Sequence, residues 1–542
     1  MIDKNSLGML FPMESEIPEE HRLSVPIHQR KYVINGELAT WNGETKTVLS
    51  PVCTRQLDGS ITQVQIGSYP IMGVEESDRI LEAAVAAYDS GRGEWPTMSV
   101  ARRIECMQDF VRQMAVQREL VVKLLMWEIG KSLADSRKEF DRTVEYIQAT
   151  IEALKDLDNS NSRFTVVDGT IGQVRRTPLG VVLCMGPYNY PLNETFCTLI
   201  PALLMGNTVV FKPPQYGTLL FEPLLNAFRT AFPKGVINTV YAAGEVVVPR
   251  MLASGKVNVL ALIGSSRVAD HLKKQHPKSH RLRAILGLDA KNAAIVLPDA
   301  DLDLAVKECL LGALSFNGQR CTALKMLIVH RSIVDAFLRR FSAALAKLKI
   351  GMPWEFGVNI TPLPGPHRTA YMTSALDEAS AKGAKVVNEG GGAFCSTLFY
   401  PAIVYPVKEG MKLYREEQFG PLVPVMAFDD VEEALQYVIT SDHGQQVSIF
   451  GSDSETIGAL VDPLVNQVCR VNINCQCQRG PDVFPFAGRK DSAEGTLSVA
   501  DALRAFSIRS MVATKDTPQS KELLNTIVRD HKSTFINTGF IL

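Results

Sequence analysis

Beyond Pro178 the chain alternates short apolar runs with segments of helical composition, and this pattern limits the fold more than any other feature. Residues 181–185, 208–211 and 257–263 each have the length and apolar content of a buried strand. A second stretch of the same kind begins near residue 293 and continues to about residue 471. Strands that alternate with helices form βαβ units and parallel sheets. We therefore predict an α/β protein with two α/β domains and a small β appendage.

The regions on either side of this alternation have other compositions. Residues 1–30 are polar, interrupted by proline and locally acidic, which predicts an extension draped over the body. Helical periodicity predicts a long helical tract over residues 119–154. At the other end, we predict a helix over residues 521–531 and a β-like tail over residues 534–542.

Charge and apolar content exclude several classes of protein. The chain has 57 basic and 58 acidic residues and a net charge of −1, so no basic excess favours nucleic acid or an anionic membrane. The longest uncharged apolar stretch, residues 195–211, is shorter than the ~20 residues that span a bilayer. With 10 cysteines in 542 residues a disulfide scaffold is not indicated. We expect a soluble cytoplasmic protein with free thiols.

One of the ten cysteines has a distinctive setting. Cys321 follows the turn-forming pair Asn317 and Gly318, and Arg320 precedes it directly. A neighbouring cation favours the thiolate over the thiol and would lower the pKa of Cys321. The setting alone fits a nucleophile and an ordinary cysteine in a turn equally well. Elsewhere, the Cys-x-Cys formed by residues 475–477 has no second pair and no nearby histidine, so no metal site is predicted.

The sequence around Cys321, Gly-Gln-Arg-Cys-Thr-Ala, resembles the active-site cysteine motif of the aldehyde dehydrogenase superfamily. The likeness extends over about residues 30–515. Further motifs of this superfamily follow in the same order at residues 186–191, 211–214, 263–266, 291–302, 416–421 and 484–488. Within the superfamily, residues 189–193, 318–321 and 478–482 most resemble the non-phosphorylating, NADP-dependent glyceraldehyde-3-phosphate dehydrogenases.

The resemblance implies an aldehyde dehydrogenase-like α/β fold, with two Rossmann-like α/β domains plus a β oligomerisation hairpin. Such a hairpin has unpaired edges that another chain can satisfy, so we expect a homodimer or homotetramer. The implied domains are an N-terminal extension (1–30), a dinucleotide-binding domain (31–156 and 179–291), oligomerisation segments (157–178 and 510–542) and a catalytic domain (292–509).

The resemblance also assigns catalytic and cofactor roles. Cys321 would attack an aldehyde carbon and carry the resulting thioester, while the Asn189 amide and the Cys321 backbone N–H stabilise the oxyanion. The cofactor would be NADP, because the uncharged Gln215 stands where NAD-specific relatives carry a glutamate that repels a 2′-phosphate. The implied cofactor-binding residues are Lys212, Gln215, Ser265, Glu417 and Phe419.

For the substrate, the resemblance implies glyceraldehyde 3-phosphate, which would be oxidised to 3-phosphoglycerate. Arg142, Tyr190, Arg320 and Arg479 stand at positions that gather the substrate phosphate in the phosphoglyceraldehyde enzymes. Planar guanidinium groups suit a phosphate dianion, and three of them argue against a fatty or aromatic aldehyde.

The sequence departs from the superfamily at Gly287. Most members have a glutamate there that activates the water hydrolysing the thioester, but here residues 287–292 read Gly-Leu-Asp-Ala-Lys-Asn. Four explanations remain open. Asp289 serves as the base; Glu417 acts through a water; the acyl group passes to a thiol such as coenzyme A in a coenzyme A-acylating semialdehyde or aldehyde dehydrogenase; or the chain is a weakly active or non-catalytic NADP-binding paralogue.

Overall fold

The N-terminal residues are anchored in the core and do not merely drape over it. The structure, a computed structural model, describes residues 2–23 and 25–542. Leu7, Phe11 and Ile17 are buried, and the Trp127 indole donates to the backbone oxygen of His21 at 2.7 Å. The elements of this region are α1 (Lys4–Gly8), β1 (Ile27–His28), β2 (Lys31–Ile34), β3 (Glu37–Thr40), β4 (Thr45–Arg55) and β5 (Ile61–Pro70).

The long helical tract predicted over residues 119–154 is two helices, so that prediction is wrong. Gly130 adopts φ +70°, which terminates the first helix, and the Ser132 side chain caps the start of the second by accepting from the Asp135 N–H. Lys131 is thereby placed at the break. The helices of this region are α2 (Val74–Tyr88), α3 (Glu94–Thr97), α4 (Val100–Val116), α5 (Arg118–Ile129) and α6 (Leu133–Ser160).

A hairpin and then the first parallel sheet follow. The hairpin joins β6 (Thr165–Val167) to β7 (Thr170–Pro178). The parallel sheet has the order β10–β9–β8–β11–β12, and its strand β8 is buried at every position, as expected when both faces are covered. Its strands and helices are β8 (Val181–Met185), α7 (Asn193–Leu204), β9 (Thr208–Lys212), α8 (Leu225–Ala231), β10 (Ile237–Thr239), α9 (Gly244–Ala253), β11 (Val259–Ile263), α10 (Ser266–Lys273) and β12 (Arg283–Gly287).

The second sheet confirms the predicted α/β repetition from residue 293. Its order is β15–β18–β19–β14–β13–β21–β22, parallel except for the edge strand β15. The elements are β13 (Ala293–Val296), α11 (Leu302–Leu314), β14 (Met326–His330), α12 (Val334–Leu345), α13 (Pro366–Ala381), β15 (Lys385–Val386), β16 (Phe394–Cys395), β17 (Leu398–Phe399), β18 (Ala402–Tyr405), α14 (Lys412–Arg415), β19 (Leu422–Phe428), α15 (Val431–Thr440), β20 (His443–Gly444), β21 (Gln446–Phe450), α16 (Ser454–Leu464) and β22 (Arg470–Ile473).

The C-terminal residues add a third strand to the hairpin. These elements are β23 (Arg489–Lys490), β24 (Ala493–Glu494), α17 (Val499–Ala505), β25 (Ser507–Lys515) and α18 (Pro518–Arg529). Strand β25 pairs with β7 along its whole length, and β24 joins the edge of the first sheet beside β12. The β-like tail predicted over residues 534–542 is wrong, because these residues form turns and coil that pack on α6 and β7.

Candidate active site

A cleft of about 1160 Å³ opens between the two parallel sheets. Met185, Lys212, Ile263 and Gly287 end the four adjacent strands β8, β9, β11 and β12, and all four line this cleft. In open parallel sheets, ligands bind at the carboxyl ends of the strands. The opposite wall comes from the second α/β region and includes Cys321, Arg368, Tyr371, Glu417 and Phe419.

A strained turn presents Cys321 to this cleft. After α11 the backbone takes positive φ values at Phe316, Asn317 and Gly318. At Gly318, with φ +70°, an added Cβ would lie 2.6 Å from the backbone oxygen of Gly420, so only glycine fits. The Asn317 amide holds the turn by donating to the backbone oxygen of Thr361 at 3.1 Å. The turn is thus rigid, which suits a positioned nucleophile.

The thiol of Cys321 is not activated by Arg320, and that prediction is wrong. The Arg320 guanidinium turns away and donates to the backbone oxygen of Gly312 at 2.9 Å. Burial, with a smaller contribution from the Glu194 carboxylate, raises the pKa of Cys321 to about 11, and Lys325 and Arg479 are the cations that oppose this rise. Without ligands, the sulfur is therefore a protonated thiol at neutral pH.

Asn189 lies where the oxyanion role requires it, in the same cleft as Cys321. Its side-chain nitrogen donates to the backbone oxygen of Gln319 at 2.8 Å, two residues before the nucleophile. An amide nitrogen carries two N–H bonds, so one remains for a substrate oxygen. The backbone of Asn189 is also fixed, because the buried Lys131 ammonium donates to its carbonyl oxygen at 2.7 Å.

Three of the implied cofactor residues lie along the edge of the first sheet. Lys212, Gln215 and Ser265 all line the cleft. Burial lowers the pKa of Lys212 to about 8, and within residues 2–23 and 25–542 its ammonium pairs with no carboxylate. Ser265 caps α10, accepting from the Val268 N–H at 3.4 Å. A buried cation and a helix N-terminus in one cleft suit an anionic dinucleotide.

Asp289 occupies that helix N-terminus from the other side. One of its carboxylate oxygens accepts from the backbone N–H and the hydroxyl of Ser266, each at 2.8 Å. The carboxylate is thus tied to α10 through one of its oxygens.

Glu417 and Phe419, the other two implied cofactor residues, line the opposite wall. The Glu417 carboxylate pairs with the buried Lys325 ammonium and accepts from the Ala290 N–H at 3.1 Å. Burial raises the pKa of Glu417. The Phe419 ring packs edge-on against Tyr188 at a centroid distance of 5.8 Å, giving the cleft an aromatic floor.

The four residues implied for the substrate phosphate do not form one cluster. Arg142 and Arg479 meet through Asp482, at 2.8 Å and 3.2 Å, and Arg479 also pairs with Glu194. Tyr190 is covered by the Lys131 ammonium, 3.5 Å above its ring, and does not line the cleft. Arg320 faces backbone oxygens, as described above. None of the four side chains lines the cleft, so their shared role in binding the substrate phosphate stays a prediction.

Several residues of the cleft were missed by sequence reasoning. Tyr188, Glu194 and Arg368 line it, and Lys131 supports Asn189. Of these residues, only Glu194 could have been found from the sequence, because it is the only charged side chain in helix α7. For Lys131 and Arg368 no sequence pattern separates them from ordinary surface cations.

No group of three histidine, cysteine, aspartate or glutamate side chains is placed to hold a metal ion within the described part of the chain. Over the same residues, none of the helices has both the length and the apolar content for a membrane span.

Two facing parallel sheets, a cleft at the carboxyl ends of one of them and a cysteine on its far wall are the features of an α/β enzyme with a candidate cysteine nucleophile. The aldehyde dehydrogenase family model matches residues 55–512, and the chain belongs to that family.

Relatives and solved structures cover most of the chain. This chain is 34% identical over 498 residues to the NADP-dependent glyceraldehyde-3-phosphate dehydrogenase of Streptococcus equinus. The alignment covers 90% of this chain and 98% of that protein. The Triticum aestivum protein of the same name is 30% identical, covering 90% and 96%. The NADP complex of the Bacillus halodurans enzyme is similar in structure, with a TM-score of 0.82, 28% identity and coverage of 91% and 100%.

Proposed function

We propose that this chain is an NADP-dependent aldehyde dehydrogenase that oxidises glyceraldehyde 3-phosphate to 3-phosphoglycerate through a thioester on Cys321. The observation that carries the proposal is that the Cys321 thiol, the Asn189 amide and the five implied cofactor residues all line one cleft. Both the proposed cofactor and the proposed substrate are supported by the similarity to NADP-dependent glyceraldehyde-3-phosphate dehydrogenases.

The residues of the cleft divide the chemistry between them. When bound, NADP accepts the hydride of the oxidation. Lys212 would provide a cation for its 2′-phosphate, and the N-terminus of α10, beside Ser265, would hold its pyrophosphate. Cys321 attacks the aldehyde carbon as a thiolate, and the free N–H of Asn189 with the Cys321 backbone N–H holds the charge that forms on oxygen. The thioester then reacts with water.

The proposed substrate places a phosphate near Arg142 and Arg479. Both guanidinium groups are held by Asp482, so the phosphate would compete with that carboxylate for them. A dianion held by two planar guanidinium groups is a strong bidentate interaction, which favours this exchange. Tyr190 and Arg320 are left out of the substrate site.

Pre-steady-state kinetics test the proposal. Mixing the protein with NADP and glyceraldehyde 3-phosphate, without inorganic phosphate, should give a burst of about one NADPH per subunit followed by steady turnover. Cys321→Ser should abolish both phases and leave NADP binding intact. Absence of NADPH with this and other aldehydes would contradict the proposal, and turnover only on adding coenzyme A would favour a coenzyme A-acylating enzyme.

We also propose that the chain assembles as a homodimer or homotetramer through the sheet of β6, β7 and β25. Four apolar side chains on the two outer strands of this sheet are at least half exposed, namely Val166, Val167, Ile508 and Met511. A cytoplasmic location belongs to the same proposal, since all ten cysteines are free, as in a reducing compartment. Light scattering of the purified protein, compared with Val166→Glu, tests the assembly.

The implied domain assignment is part of this proposal as well. The first sheet belongs to the dinucleotide-binding unit of residues 31–156 and 179–291, and the second to the catalytic unit of residues 292–509. The segments 157–178 and 510–542 serve assembly, and residues 1–30 form an anchored extension.

A further inference from the structure

The cleft contains a buried carboxylate outside the implied cofactor and oxyanion sites. Glu194 lies in the first turn of α7, five residues after Asn189, and only 7% of its surface is exposed. A buried carboxylate on a reacting cleft is a candidate acid or base. Such a group is needed because Gly287 has no side chain that could activate the water that hydrolyses the thioester.

Four carboxylates line the cleft, and they differ in their surroundings. Asp289 is bonded to Ser266 at the start of α10, and Glu417 is paired with Lys325 and bonded to Ala290 through one oxygen. Glu245 lies in the first turn of α9, at the Lys212 end of the cleft. Glu194 follows Asn189 in the chain and acts more strongly on the Cys321 thiol than Glu417 does.

The surroundings of Glu194 place it near both the thiol and the vacated position. Its carboxylate is the strongest electrostatic influence on the Cys321 thiol after burial itself. Its partner Arg479 donates to the backbone oxygen of Leu497 at 3.1 Å, and Leu497 is also the nearest neighbour of an imagined Cβ at Gly287, at 3.3 Å. Glu194 and Gly287 are therefore both connected to Leu497, and all three residues line the cleft.

The hydrogen bonds of Glu194 leave it free to act. Arg479 donates to Oε2, and no described donor contacts Oε1. The Arg479 guanidinium that pairs with Oε2 is itself shared with Asp482. A carboxylate with one open oxygen is what a water-activating base requires.

We propose that Glu194 is the general base of thioester hydrolysis and replaces the glutamate missing at Gly287. This rests on the proposed function. Glu194 Oε1 accepts a proton from water as the water oxygen attacks the thioester carbon. The C–S bond then breaks, the electron pair leaves with the Cys321 sulfur, and the proton returns to the thiolate, giving the acid and the free thiol.

Glu194→Gln tests the assignment, with Asp482→Asn as the matched control. Both remove a carboxylate partner of Arg479, but only Glu194 lines the cleft. With Glu194→Gln the NADPH burst should persist while the steady rate falls about 10²–10⁴-fold. The intact mass should show one acyl group on Cys321, and hydroxylamine, which needs no base, should restore turnover. Asp482→Asn should keep the wild-type ratio of steady rate to burst rate.

The alternative outcomes are distinct. Equal loss of burst and steady rate in Glu194→Gln, no loss of either, or the same change of ratio in Asp482→Asn would overturn the assignment. Wild-type turnover that depends on coenzyme A would overturn it too. A wild-type protein that forms no NADPH with any aldehyde contradicts the proposed function itself, before Glu194 is in question.

Discussion

The Lys131 ammonium donates a hydrogen bond to the main-chain oxygen of Asn189, with an Nζ···O distance of 2.7 Å. Lys131 is fully buried and pairs with Glu139, whose other oxygen accepts from the backbone N–H groups of Leu192 and Asn193 at the start of α7. The break between α5 and α6 thus fixes the loop that carries Asn189.

Lys131→Met should cost about 3–5 kcal/mol of stability, because it leaves the Glu139 charge buried and unpaired. The double variant Lys131→Met/Glu139→Gln should recover part of that loss, since the amide oxygen still accepts from Leu192 and Asn193 while the charge is gone. Denaturant unfolding measures both. Equal stability of the single and double variants would show that the pair carries no buried-charge penalty.

Alkylation of Cys321 should depend steeply on pH. Because burial raises the pKa of Cys321 to about 11, the thiolate fraction of the free protein is small at neutral pH. The rate of labelling by iodoacetamide, followed by peptide mass mapping, should rise about tenfold per pH unit from pH 7 to 9. A rate that levels off below pH 8 would mean that the thiol ionises near neutrality after all.

NADP affinity should fall as the pH rises through about 8, the pKa of Lys212. Below that pH the ammonium attracts the 2′-phosphate, and above it the neutral amine does not, so the dissociation constant should rise about three- to tenfold from pH 7 to 9. Binding should take up a proton near pH 8, because the phosphate raises the pKa of Lys212. Titration calorimetry in two buffers measures both, with NAD and Lys212→Gln as controls that lose the effect.

The two substrate arginines should differ from Arg320. Arg142→Ala should raise KM for glyceraldehyde 3-phosphate about tenfold or more and leave unphosphorylated glyceraldehyde unaffected, since it removes one charge-assisted partner of the phosphate. Arg320→Gln should leave the ratio of kcat/KM for the two substrates unchanged, because its guanidinium faces the backbone oxygens of Leu311 and Gly312. The same change of ratio in both variants would return Arg320 to the substrate site.

The sequence pattern determined the architecture and singled out Cys321 as the candidate nucleophile. Strand-length apolar runs that alternate with helices specify parallel sheets, and the carboxyl ends of such strands meet at one edge, so Lys212, Ser265 and Gly287 come together in the cleft. The motif around Cys321 could also be identified from the sequence, because its residues are consecutive in the chain. The family model over residues 55–512 confirms the identification that those motifs gave.

The directions and charge partners of the side chains were decided only by the tertiary structure. Arg320 is the neighbour of Cys321 in the chain, yet its guanidinium turns toward α11. Arg479 and Glu194, which are 285 residues apart, form an ion pair whose charges both act on the thiol. Adjacency in sequence fixes the distance between backbone atoms but not where a long side chain finds its hydrogen bonds. Burial, which sets the pKa of Cys321 and Lys212, likewise exists only once both sheets have closed over the cleft.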